Sequence, residues 1–224
     1  MKTNLGFFTL LFGLMVGHNF ASAQSDAILD IGYNVTVFDK PEPLQNYVEN
    51  LNSLQNFTTP IVAPTSLNGF TLGWVGHFDH SDIGVGLRQN TFKTKAVVTS
   101  SNGEEIPYTY KFKMNQFYIP ELVFYPSKSL PLGFGTSLDV MTFKVSRKNP
   151  DENQFYRPVT SDFNLGGELI VRLRFYDDAM SFTVTGFYQT TIFKSDFGEY
   201  KGEPNKWSPS GYGVRAAIGI PLPN

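Results

Sequence analysis

The chain contains no cysteine. Disulfide staples, a thiolate nucleophile and thiolate metal ligands are therefore excluded, as is lipid attachment through an N-terminal cysteine. No apolar run is long enough to cross a bilayer as a helix. With 18 Lys and Arg against 20 Asp and Glu, the net charge is only −2, which leaves no electrostatic footprint for nucleic acid. Histidine is scarce: His18 lies near the N-terminus, and only His77 and His80 follow it. There is no internal repeat of domain size and no low-complexity segment. What is abundant is aromatic and small: 21 Phe, 11 Tyr and 20 Gly.

The first residues read as an export leader. Met1-Lys2 is a short positive start, residues 5–16 are apolar but too few to span a membrane, and Ala21-Ser22-Ala23 offers a small-residue cleavage site before Gln24. The expectation is a signal peptide over residues 1–23 and one domain over 24–224. About 200 residues suit one barrel or sandwich rather than two domains.

Beyond the leader, eight stretches alternate apolar and polar residues, as half-buried strands do. The gaps between them alternate long and short. Long gaps lie at residues 39–68, 99–106, 146–162 and 195–209, short ones at 79–82, 126–130 and 177–179. An up-and-down barrel in an outer membrane has this rhythm, with short turns in the periplasm and longer loops outside.

Parity divides each stretch into two faces. Leu29, Ile31, Tyr33, Val35 and Val37 oppose Asp30, Gly32, Asn34 and Thr36 in the first. In the fourth, Tyr110, Phe112, Met114, Tyr118, Leu122 and Phe124 are expected opposite Thr109, Lys111, Lys113, Asn115 and Glu121. The sixth sets Phe163, Leu165, Leu169, Val171, Leu173 and Phe175 against Asn164, Gly166, Glu168, Arg172 and Arg174.

Alternation alone does not say which face is inside; a soluble, lipocalin-like carrier of an apolar ligand would turn the apolar face inward. Three features favour the membrane barrel. The polar face is rich in Gly, Ser, Thr and Asn, which suit a crowded lumen. Its charges balance: Asp30, Glu121, Asp139 and Glu168 against Arg88, Arg172, Arg174 and Arg215, as enclosed ions require. Aromatics collect at both strand ends, Phe78, Phe124, Phe134, Phe175 and Phe182 near the short turns and Phe70, Tyr110, Phe163, Tyr188 and Tyr212 near the long gaps, as membrane girdles do. The expected fold is an all-β, eight-stranded antiparallel up-and-down transmembrane barrel with one short loop helix.

Three features carry a family resemblance: the leader ending Ala21-Ser22-Ala23-Gln24, the hairpin opening Gly69-Phe70-Thr71-Leu72-Gly73, and Phe117-Tyr118-Ile119-Pro120-Glu121-Leu122. With these the chain resembles the small OmpA/OmpX-like outer-membrane barrels of Gram-negative bacteria. It looks most like the outer-membrane barrel family common in Bacteroidetes. It departs from such barrels at Gly219-Ile220-Pro221-Leu222-Pro223-Asn224, which lacks the aromatic end they use in assembly. The resemblance implies a compartment, the cell outer membrane, and not an activity.

The candidate sites are few. His77, Asp79 and His80, with Asp82, gather metal-capable groups at one short turn, although the spacing matches no closed ligand set and a polar turn explains them equally. Both histidines lie on the periplasmic side, away from the outer leaflet where a Ser/His/acid lipid-modifying site would stand. Residues 41–55, from Pro41 to Gln55, read as an amphipathic helix capped by Asp39, with Leu44, Val48, Leu51 and Leu54 as its stripe. In the lumen Arg88 and Glu121 are the expected direct pair, and Arg215 the residue that reaches across to Asp139 and Glu168. No cofactor is expected. The functional expectation is a monomeric, non-enzymatic barrel in contact with outer-membrane lipid, displaying loops to envelope proteins as an accessory to an envelope or secretion complex, with no nucleic-acid partner. An eight-stranded interior is too full for a diffusion pore.

Overall fold

The computed structural model describes residues 26–55, 57–127, 129–149, 157–176, 180–200 and 203–222; the expected leader lies outside them. The elements are β1 (Asp26–Phe38), α1 (Glu42–Gln55), β2 (Phe57–Thr59), β3 (Ser66–His77), β4 (Ser81–Thr99), β5 (Glu105–Phe124), β6 (Leu132–Lys148), β7 (Arg157–Tyr176), β8 (Ser181–Thr191), β9 (Ser195–Tyr200), β10 (Glu203–Trp207) and β11 (Gly211–Pro221). Eight of the strands close a ring in the order β1, β3, β4, β5, β6, β7, β8, β11, with β11 pairing back to β1 and every pairing antiparallel. Closure leaves no open edge, so every strand of the wall has its backbone partners on both sides, which a lipid environment demands.

The apolar face is outside. Leu169 is 68% exposed, Trp74 56% and Ile218 53%, while Arg88, Glu121, Asp139 and Arg172 on the opposite parity are buried. A water-soluble protein would not expose such a belt on every wall strand. The soluble carrier with an inward apolar face is therefore set aside: the barrel sits in the outer membrane, its belt against lipid. Phe124, Phe134, Phe175 and Phe182 are exposed at the end with the short turns, and Phe70, Phe163, Tyr188 and Tyr212 toward the other end.

One strand departs from the parity expected of it. In β5, Tyr110, Phe112, Met114 and Tyr118 point inward and are buried, whereas Leu122 and Phe124 point outward. The register slips by one residue between Tyr118 and Glu121 against both neighbouring strands. The extra residue is a β-bulge at Ile119-Pro120, where proline has no N–H to give the ladder. A bulge exchanges the two faces. Lys111 and Lys113, expected in the lumen, are consequently outside, and Tyr110 leaves the outer girdle for the interior.

The strands also run further than the alternation suggested. β4, β5 and β6 have 19, 20 and 17 residues, against 11 or 12 for β3, β8 and β11. With β7, also 20 residues and paired to β6 as far as Arg147–Arg157, they rise well past the apolar belt as a four-stranded wall. The last long gap holds the β9–β10 hairpin, and β2 pairs with the top of β4; neither had a visible signature.

Candidate functional site

The lumen has two storeys. The lower one is ionic and centres on Glu121, just after the Pro120 bulge. Glu121 accepts from Arg88 at 3.0 Å, from Arg215 at 2.6 Å and from Arg172 through its other oxygen. Arg88 also pairs with Glu168. Gln116 donates to both Glu168 (2.9 Å) and Asp139 (3.0 Å), and Ser137 donates to Asp139 at 2.9 Å. The Tyr118 ring lies under the guanidiniums of Arg88 and Arg215, 4.6 and 5.7 Å from its centroid. Gly73 and Gly86 make room for its hydroxyl: a Cβ on either would lie 2.2 or 2.3 Å from the Tyr118 oxygen.

A second ionic group lies toward the short turns. Asp82 takes the Tyr125 hydroxyl at 2.6 Å, faces His77 Nδ1 at 2.5 Å, and pairs with Arg174 and, at 3.5 Å, with Arg172. The alternation places Asp82 in the turn; the structure starts β4 at Ser81 and turns this carboxylate inward. Arg172 thereby joins the two ionic groups into one network. Asp30 is buried, and its Oδ1 has no hydrogen-bond partner within the protein.

The expected crossing of Arg215 to Asp139 and Glu168 is corrected. Arg215 reaches Glu121, Glu168 is met by Arg88, and Asp139 is held by Gln116 and Ser137. Heights counted along the fourth stretch ignored the extra residue, and an arginine is long enough to bridge layers. The metal-capable groups are not gathered either. His77 turns inward to Asp82, while His80 contacts the Tyr125 carbonyl at 3.3 Å and stacks on Phe124. Among the described residues no three His, Asp or Glu are placed to hold a metal ion.

The upper storey is apolar and closed by a cap. Helix α1 lays Leu44, Tyr47, Val48 and Leu51 over Phe38, Ile61, Leu67, Ala96, Tyr110, Phe112, Met114, Phe143 and Val145. Phe197 and Trp207 come from the β9–β10 hairpin. Trp207 is fully buried, edge-on to Phe38 and Phe143 at 4.9 and 4.8 Å, and it donates its indole N–H to the Lys40 carbonyl at 2.9 Å. Tyr47 stacks on Phe197 at 4.8 Å. Polar clamps tie the cap down: Asn52 exchanges two hydrogen bonds with Ile61, Tyr110 donates to Gln55 at 3.1 Å, and Asn205 donates to the Pro43 carbonyl at 2.9 Å. Burial, then the neighbouring Tyr110, pushes the Tyr47 phenol up to about 12.

Two expectations about this helix change. Leu54 is not on the buried stripe but 71% exposed, its place taken by Tyr47. Asp39 does not cap α1; its carboxylate accepts from the Tyr188 hydroxyl at 2.6 Å. The helix and its Leu44, Val48 and Leu51 stripe were legible; the aromatic half of the cap was not, because Phe197 and Trp207 sit in a gap with no alternation.

No protein-family model and no curated protein matches the chain. Among solved structures it is similar to Ail, the attachment invasion locus protein of Yersinia pestis, solved in complex with the heparin analogue sucrose octasulfate. The identity is 12%, with 89% of this chain and 99% of that chain covered, at a TM-score of 0.47. It is also similar to the translocator domain of the autotransporter NalP from Neisseria meningitidis, at 8% identity, 97% and 96% coverage and a TM-score of 0.40.

Proposed function

We propose that this barrel is a sealed, non-enzymatic platform: a monomeric membrane wall anchoring a folded cap whose outer surface meets protein partners of the envelope. The observation that carries the reading is the double closure of the lumen, ionic below and apolar above. The carboxylates Asp82, Glu121, Asp139 and Glu168 are engaged by arginine, glutamine or hydroxyl partners and enclosed, which suits structure better than acid–base turnover. The cap is held by side-chain hydrogen bonds and a packed core, so its outer face is a fixed surface. On that face Leu54 and Val62 are 71% and 57% exposed, two apolar positions at which contact with a partner can be probed. The leader-like pattern of residues 1–23 and the resemblance of the sequence to the Bacteroidetes barrel family support the reading.

The test has two arms. In planar lipid bilayers the protein should give no steady ohmic conductance; a stable channel would overturn the sealed reading. A photo-cross-linking residue at Leu54 or Val62 should give protein adducts in native membranes, and one at lipid-facing Leu169 should not. Cap positions free of adducts would overturn the platform reading.

A further inference from the structure

The lipid-facing belt has a polar notch at its rim that neither the sealed lumen nor the cap uses. On β4, β5 and β6, Asn90, Met114, Gln116 and Met141 are buried in the lumen, so the adjacent Gln89, Asn115 and Thr142 face out. These three stand side by side by register, and Phe70 of β3 continues the row past Gln89. One row nearer the membrane centre the same strands carry Leu87, Phe117 and Val140, all exposed. The two rows enclose a cleft of about 300 Å³, apolar on one side and polar on the other.

The polar row is a ladder. Gln89 Nε2 donates to Asn115 Oδ1 and Asn115 Nδ2 to Thr142 Oγ1, both at 3.2 Å. Each bond crosses from one strand to the next and fixes the plane of the amide that donates it. The ladder does not exhaust its own hydrogen-bonding groups. The Gln89 side-chain carbonyl still accepts, each amide keeps a second N–H, and the Thr142 hydroxyl keeps its proton. All three side chains are half-buried, so these groups are held at the wall rather than waving in solvent.

Height and chemistry together identify what fits. On each strand the ladder lies two residues beyond the apolar row, roughly 7 Å along the strand and about 5 Å along the membrane normal at a tilt of roughly 40°. The headgroup layer is about 5–8 Å thick on each side of the hydrocarbon, so the ladder stands within it. An acyl chain in the cleft would leave the free N–H and C=O groups unpaired, which is costly away from water. Water alone would satisfy the amides but not the apolar floor. A phosphate dianion accepts hydrogen bonds but has none to donate to the Gln89 carbonyl. A sugar ring meets every requirement: its hydroxyls both donate and accept, and its C–H face is apolar enough to lie on Phe117.

We propose that this cleft of β4–β6, with Gln89, Asn115 and Thr142 as its polar edge and Phe117 as its floor, binds the sugar headgroup of a glycolipid in the outer leaflet. The proposal rests on the outer-membrane placement of the barrel and is independent of the platform reading. Continuity points to a lipid-borne sugar rather than a soluble one. The floor of the cleft is the upper row of the lipid-facing belt, so the acyl chains of the same molecule run down the belt while the ring meets the ladder.

The experiment titrates the protein, folded in neutral detergent, with an acylated diglucosamine that carries no phosphate, retained lipid being counted by native mass spectrometry. A diacylglycerol of matched chains, which has no sugar, is the comparison. The glycolipid should be retained and the diacylglycerol lost. A hydrogen bond between neutral groups is worth about fivefold in binding, so Q89L/N115L, which removes two amides, should weaken retention on the order of twentyfold. Leucine suits an outward site beside lipid, and the heat-modifiable gel shift of a folded barrel should persist. If that variant failed to fold, the wild type would decide through the two lipids and through salt: retention of the glycolipid should hardly change with ionic strength, because neutral groups make the contact. Equal retention of the two lipids, a steep salt dependence, or an unchanged affinity in the folded double variant would overturn the proposal. So would displacement of the glycolipid by an equal concentration of soluble N-acetylated diglucosamine, which would move the ligand from the leaflet into solution.

Discussion

Glu121 is the place where the lumen can be tested most sharply, because three guanidiniums converge on one carboxylate. Arg215→Ala removes the 2.6 Å partner and leaves Arg88 at 3.0 Å and Arg172 in place. Breaking a buried pair costs about 3–5 kcal/mol. With two cations still on Glu121 the cost belongs at the low end, about 3 kcal/mol. Glu121→Gln strips the counter-charge from all three and belongs at the high end, about 5 kcal/mol. Once Glu121 is neutral, Arg215 has lost its reason to be buried, so the two changes together should cost less than their sum by about 1–3 kcal/mol. Asp139→Asn is the control. Asp139 is held by Gln116 and Ser137 and makes no contact with Arg215. It is linked to Arg215 only indirectly, through Gln116, Glu168, Arg88 and Glu121, so its coupling to Arg215→Ala should be the weaker of the two, under about 1 kcal/mol. The assay is urea unfolding in lipid vesicles followed by the fluorescence of lipid-facing Trp74 and buried Trp207. Strict additivity of Arg215→Ala and Glu121→Gln would refute the convergence on Glu121. Strong coupling of Arg215 to Asp139 would restore the layered lumen that strand counting suggests.

Three further outcomes are expected. Leu169→Arg or Val171→Arg, each outward on β7, should destabilise the folded barrel in liposomes by about 2–4 kcal/mol; wild-type stability would invert the facing. A protease site inserted after Ser101, in the exposed turn between β4 and β5, should be cut on intact cells, while one between Pro126 and Ser129 should resist until the outer membrane is opened. The reverse would turn the barrel over. Because Tyr47 has a raised phenol pKa, its contribution to the cap's stability is full below the ordinary tyrosine value near 10 and is lost as pH rises through about 12. Ultraviolet titration of wild type against Tyr47→Phe should show one late-ionising phenol missing from the variant; identical curves would remove Tyr47 from the buried cap core.

Most of the wall was legible because a barrel strand repeats every two residues and lipid fixes one face of it. Once the small residues, balanced charges and aromatic girdles put the apolar face outside, parity assigned Leu169, Val171, Phe134 and Ile218 outward and Asp30, Arg88, Glu168, Arg172 and Arg215 inward. β5 was the exception. One residue inserted at Pro120 reverses every assignment beyond it, and alternation on both sides of the bulge remains equally good. The lysines Lys111 and Lys113 looked luminal for that reason alone. Of the ionic partners only Arg88–Glu121 was legible, as a pair on neighbouring strands; for the others, which acid an arginine meets depends on register, height and the reach of a long side chain across the lumen.

The sequence by itself therefore determined the closed antiparallel ring, the lipid-facing belt and the inventory of buried charge, since these follow from period, composition and the cost of lone buried ions. Only the tertiary structure decided that Glu121 rather than Asp139 gathers Arg215, that Asp82 belongs to the lumen, and that α1 with Phe197 and Trp207 closes the mouth. Those contacts join residues far apart in the chain, and no local pattern records where a loop folds back or which of several equal charges lies within 3 Å.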